Sequence, residues 1–337
     1  MTTAIVDRLL ASNEPSIRYK VRVGVLGESE SSRTVRALRV EIHGSPRVRT
    51  LLSKRSPDGR LGVGRHPYDK WRGAHWVMAT LADIGYPAGD RSLMPARDQL
   101  MECWLSERHY YDEFEVESKA ASYRKRGVPV MQGRHRRCAS QQSNALFSVV
   151  QLGLADGRAD DLVERLLHWQ WPDGGWNCDR NPLAVHSSFM ESLLPLRALA
   201  RVARDGAHAV AGAAARRAAE IFLKRRLFRR QSNGEVIRSE FVALHYPLYW
   251  HYDVLGGLKV MSEAGFIGDP RCAEALDLLE SKRLPDGGWP AEARHYSCSA
   301  EAKSRAELVD WGGVARRKTN EWVTADALAV LTAAGRC

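Results

Sequence analysis

The sequence predicts a single α/α toroid, a closed ring of about six inner and five outer helices, with residues 1–337 forming one domain. Three observations predict it. An apolar residue pair recurs along the chain, helix-length segments between the pairs are apolar on more than one face, and most of these segments end in glycine.

The pairs open LLSKRSPDGRLG (51–62), WLSERHYYDEFE (104–115), LLHWQWPDGGW (166–176), FLKRRLFRRQSNGEV (222–236) and LLESKRLPDGGW (278–289). Their spacing of about 53 to 62 residues is the regime in which repeats signal stacked or closed helical hairpins. Each is followed by a charged stretch and a turn. Asp-Gly-Gly and proline cannot lie inside a helix, so HWQWPDGGWNCD (168–179) reads as a loop held down by its tryptophans.

The second series starts with SIRYKVRVGVLG (16–27), AHWVMATLADIGY (74–86) and NALFSVVQLGLADG (144–157). It continues with SSFMESLLPLRALARV (187–202), HYDVLGGLKVMSEAG (251–265) and EWVTADALAVLTAAG (321–335). Helices apolar nearly all round are buried on both sides. Gly27, Gly85, Gly153, Gly265 and Gly335 are suited to closing their C-termini. The alternate segments ARDQLMECWLSER and DPRCAEALDLLESKR carry charge on one face and read as outer helices, the second begun by Asp269-Pro270.

The wider composition is that of a globular protein, with 44% apolar residues. MTTAIVDRLLASNEP has no charged start followed by an apolar run, and no stretch approaches the roughly 18 apolar residues of a membrane span. Six scattered cysteines imply no disulfide framework. The expectation is a cytoplasmic, reduced protein without a transmembrane segment. The net charge of +10 comes from RKRG (124–127), GRHRRC (133–138) and LKRRLFRR (223–230). Such clusters serve an anionic small molecule, an acidic membrane surface or nucleic acid, or form a solvated face.

The spacing Gln170-xxx-Gly174-x-Trp176, repeated as Arg283-xxx-Gly287-x-Trp289, resembles the QW repeat of the squalene cyclase and protein prenyltransferase superfamily. The resemblance implies the toroid and a role for each tryptophan as a clamp between hairpins. The repeat itself does not choose among the family's reactions, and the family's catalytic motifs are missing. Asp156-Gly-Arg-Ala-Asp160-Asp161 has the wrong spacing for D-x-D-D, there is no D-D-x-x-D, and Cys178 and Asp179 are adjacent rather than an Asp-x-Cys zinc pair.

Parallel inner helices open their N-termini on one face, where ligands gather from convergent positions. Residues 135–144, 177–191 and 245–253 are therefore expected to build a polar, aromatic mouth to a central cavity. Three arrangements suit chemistry there. Cys178, Asp179 and His186 could bind zinc, completed by Cys138 or His245. Asp179, Glu191 or Asp253 could act as a general acid, with His186 and His251 moving protons. Arg134, Arg136 and Arg137 could hold an anionic group at a helix start. Trp71, His75, Trp76, Gln142, Asn144, Tyr249, Tyr252 and Trp322 are the expected substrate wall. Ser187, Asp253 and Asn320 taken singly read as helix caps.

The resemblance implies an enzyme that transfers or cyclises an isoprenoid or similarly apolar substrate with an anionic head. Two alternatives stand beside it. One is a zinc-dependent or acid–base hydrolase or lyase reusing the fold; the other is a toroid that binds a ligand or nucleic acid without catalysis.

Overall fold

The computed structural model describes residues 2–62, 66–106, 112–204, 206, 208–298 and 306–337. Thirteen α-helices are found among them, and 49% of the described residues are helical. The first six are α1 (Thr2–Leu10), α2 (Pro15–Gly24), α3 (Arg33–His43), α4 (Pro46–Leu51), α5 (Ala74–Asp83) and α6 (Met94–Trp104). A small sheet follows, made of β1 (Glu113–Glu115), β2 (Val128–Met131) and β3 (Arg134–His135). Next come α7 (Ala139–Gln151), α8 (Arg158–His168), α9 (Phe189–Arg204), α10 (Ala209–Leu223), α11 (Val254–Glu263) and α12 (Ala273–Ser281). The pair β4 (Ser297–Cys298) and β5 (Ala306–Glu307) precedes the last helix, α13 (Glu321–Ala333).

Two kinds of helix alternate. In α13 every residue from Trp322 to Leu328 is buried, together with Val330 and Leu331. In α8 only Ala159, Leu162, Val163 and Leu166 are buried, a single stripe at helical spacing. The all-round helices pack in series: α2 on α13, α13 on α11, α11 on α9, α9 on α7 and α7 on α5. Lys20 of α2 reaches Asp83 of α5 at 3.1 Å. The one-sided helices α3, α6, α8, α10 and α12 pack against α2, α5, α7, α9 and α11 respectively. The five helix-ending glycines all adopt positive φ, between 64° and 82°.

The tryptophan loops are built alike. Trp176 and Trp289 are 1% and 0% exposed. The Trp176 indole N–H donates to the Leu166 carbonyl of α8 at 2.9 Å, and that of Trp289 to Leu279 of α12 at 2.7 Å. The Trp176 amide donates to Ser192 Oγ and the Trp289 amide to Thr324 Oγ1, each on the next inner helix. Gln170 bridges the Gly174 and Ala214 carbonyls at 2.7 and 2.9 Å. Gly174 has φ 102°, and a Cβ there would lie 2.4 Å from the Arg217 carbonyl, so no other residue fits. The looser repeat keeps the same backbone turn, since Ser56 N–H donates to Arg60 O as Trp171 does to Gly175 and Leu284 to Gly288.

The third all-round helix, expected from near Asn144, starts at Ala139, so Gln142 and Asn144 lie within it. The expected ring consists of helices alone, whereas 49% of the described residues are helical and small sheets are present. The small sheet, in which β1 runs parallel to β2 and β2 antiparallel to β3, has no alternating pattern long enough to show in the sequence. Residues 107–111 of WLSERHYYDEFE lie outside the described residues. No helix is long and apolar enough to cross a membrane, among the described residues.

Candidate metal centre

A parallel bridge joins Arg136 to Asn177, so the segment leaving β3 lies beside the segment leaving Trp176. This brings Cys138, which precedes α7, next to Cys178. Glu191 of α9 meets both, and the ligand atoms of the three side chains all lie within 4.8 Å of one another. The Cys178 thiol donates to Glu191 Oε1 at 3.3 Å, and the Ser140 amide donates to Oε2 at 3.0 Å. Burial raises the Glu191 carboxyl above its ordinary value, against the pull of Ser140, Cys178 and Arg137. The Cys138 thiol, burial and Glu191 push Cys178 up as well. Tyr68 stands close by, its phenol pushed up to about 12 by burial against a hydrogen bond from Gln141, with Cys138, Glu191 and Cys178 adding to the rise. Both amide atoms of Gln142, one turn into α7, are buried without a hydrogen bond.

Of the zinc ligands expected from the sequence, Cys178 and Cys138 come together and Glu191 joins them, whereas Asp179, His186 and His245 are not part of this group. Asp179 and His186 are exposed. The loop after Cys178 turns on its own side chains along the surface, with Asn177 Oδ1 accepting from the Asp179 amide and Asp179 Oδ1 from the Asn181 amide, both at 2.9 Å. Asp179 thus lacks the apolar surroundings that a general acid was expected to have there. Asp253 is no free acid either: its carboxylate accepts from the Gly256 amide at 2.7 Å as the N-cap of α11 and lies 2.7 Å from His245 Nδ1. Asn320 caps α13 as expected. Ser187 instead bonds Asp173.

Most of the expected substrate wall is core. Trp71 stacks on Tyr249 at 3.8 Å, Tyr249 donates to Glu307, Tyr252 donates to the Leu227 carbonyl at 2.6 Å, and Trp322 stacks on Tyr246. All are buried, as is Trp76, because the segment 246–249 folds inward as far as Asp83 of α5, which the Tyr246 hydroxyl reaches at 3.0 Å. His75 is fully buried, and burial and His66 hold it down to about 3, so it is neutral. The Trp104 indole donates to its Nδ1 at 3.2 Å. The ring proton is then on Nε2, 3.2 Å from the Asn144 amide, which must offer its oxygen. Arg136 is 2% exposed, covers the Trp171 ring and donates to the Ala184 carbonyl. Arg134 lies over the same ring, which leaves Arg137 as the arginine felt by Glu191.

The sequence reading missed the opposite end of the inner helices. A cavity of about 300 Å³ there is lined by Lys20, Asp83, Arg197, Lys259, Glu263 and Asp326, among others. Lys20 and Lys259 each bridge Asp83 and Asp326, and Arg197 joins Asp83 to Glu263. Burial would raise Asp83, yet Lys20, Lys259 and Arg197 hold it well below the usual carboxylate range. The signal was present: each of these charges interrupts an otherwise apolar segment.

No protein-family model matches the chain, and no curated protein matches it.

Proposed function

We propose that the six all-round helices close into one α/α toroid, and that the chain is a zinc-dependent enzyme of the terpene cyclase and prenyltransferase type. Ring closure is supported by the unbroken series of helix neighbours and by the Lys20–Asp83 pair between its two ends. The enzymatic reading is carried by one observation, the meeting of Cys138, Cys178 and Glu191 at the starts of α7 and α9. Thiolate and carboxylate are zinc ligands, and three protein ligands leave the fourth position for substrate. Burial raises both Glu191 and Cys178 by penalising their negative charge, and a bound cation would offset that charge while displacing their protons. Arg137 offsets the negative charge of the donor set.

Cys138, Cys178 and Glu191 would hold zinc, which would supply Lewis acidity to lower the pKa of a substrate thiol. That suits transfer of an apolar group, such as an isoprenoid with an anionic leaving head, to a thiol. Tyr68 stands where it can hold a proton beside the transfer. The test is metal analysis of protein made without an affinity tag, followed by Co²⁺ substitution. Zinc is expected in the purified protein, and Co²⁺ should give thiolate charge-transfer absorption that Cys178→Ser removes. Transfer from an allylic diphosphate to a small thiol should vanish in the same variant. Absence of thiolate-bound metal after loading overturns the reading.

A second reading is favoured by the charged cavity: a toroid that binds a small polar ligand at the C-terminal ends of its inner helices. Calorimetry against zwitterionic and anionic metabolites tests it, with loss of binding in Arg201→Ala, a lining residue, as the expected result.

A further inference from the structure

Three imidazoles meet at the entrance to α11, apart from the thiol cluster. His245 and His251 flank the inward-folded segment, and His295 lies beyond the Trp289 clamp. A parallel bridge pairs His245 with Ala293, which draws His295 alongside. One nitrogen of each ring lies within 4.8 Å of the corresponding atoms of the other two. The His251 and His295 rings stack at 3.6 Å with planes 10° apart, and His245 meets His295 edge-on at 4.8 Å.

Two features set this cluster apart from histidines packed for bulk. The first is support from behind. Asp253 Oδ2 lies 2.7 Å from His245 Nδ1 and also accepts from the His245 amide at 2.8 Å. A carboxylate on one nitrogen of a histidine fixes its tautomer and makes the other nitrogen a better ligand. The second is that other nitrogen. His245 Nε2, like Nδ1, is buried without a well-formed hydrogen bond, with the Asp253 carboxylate beside Nδ1 and the Ala243 and Leu248 carbonyls against the ring. Leaving a buried polar atom unmatched is costly, and a cation at the cluster would satisfy it.

We propose that His245, His251 and His295 form a second metal site, oriented by Asp253 and open to solvent beside the half-exposed His251 and His295. Three neutral imidazoles suit Zn²⁺ and its neighbours in the first transition row, and three histidines with an open position form one of the donor sets of catalytic zinc. Parallel rings aim their lone pairs side by side, so binding requires a small rotation of His251 against His295. The site uses no residue of the thiol cluster, so either can fail without the other.

The test is a titration of chelator-treated, untagged protein with Co²⁺ alone, followed by visible absorption and calorimetry. Two equivalents are expected. One carries the thiolate charge-transfer band and disappears in Cys178→Ser. The other shows only ligand-field bands and disappears in His251→Ala and in His295→Ala, while both variants keep the thiolate band. If His251→Ala does not fold, His295→Ala alone decides, because His295 lies in a loop. A titration without a thiolate-free equivalent, or one in which that equivalent survives the folded histidine variants, overturns the proposal.

Discussion

Glu191 shows how one residue ties stability to binding. Its folded carboxyl is raised by burial, so above the ordinary value of 4.5 the folded protein keeps a proton that the unfolded chain releases. The folded state then binds more protons, and stability must fall as pH climbs through that window. If the cluster binds a metal as proposed, its affinity should rise over the same window, because the metal competes with the proton. Melting of chelator-treated protein between pH 4.5 and neutrality should show the decline, and Glu191→Gln should flatten it. A wild-type slope no steeper than the variant's would remove Glu191 from the account. His75 makes a contrasting prediction. Replacing it by leucine strands the Trp104 indole and the Asn144 amide, which should cost roughly 1–3 kcal/mol in denaturant titration while leaving the thiolate cobalt band intact.

At the scale of elements, the clamps were the most legible part of the sequence. The Asp-Gly-Gly-Trp turn uses contacts close along the chain, so its residues announce it. Trp176→Ala should cost about 3–5 kcal/mol, measured by denaturant unfolding, since a large aromatic is removed from a packed site. An unchanged midpoint would mean that the loop does not hold α8 to α9. The start of α7 was less legible. Cys138, Ser140 and Gln141 are polar, so the apolar run was read as beginning at Asn144, whereas the helix begins where the chain leaves β3. That shift moves Gln142 and Asn144 inward and explains why these two residues of the expected substrate wall are buried within the helix. The site itself was half visible. Cys178 and Glu191 lie in the loop and helix that the sequence singled out, but Cys138 reaches them through the Arg136–Asn177 bridge, a pairing of residues 41 apart that no local pattern announces.

At the scale of the whole molecule, circular dichroism should give close to half helix, in line with 49%. A clearly higher value would count against the loops described here. The charged cavity carries the heavier prediction. Asp83 receives Lys20, Lys259, Arg197 and the Tyr246 hydroxyl from four other segments. Asp83→Asn leaves three cations facing a neutral amide in a buried place, and breaking such a pairing costs about 3–5 kcal/mol. Unfolding at neutral pH should show a loss of that order, and a loss under ~1 kcal/mol would mean that water already screens the network.

The pairing of Lys20 with Asp326 spans 306 positions of sequence. During synthesis the aspartate follows its lysine by 306 residues, and contacts so remote in sequence form slowly. Until residues 321–333 have been made, α2 presents to the cell the flank that α13 will cover. A chain in which α13 has not yet docked therefore exposes an apolar flank of α2, and it should be more prone to associate than the folded protein.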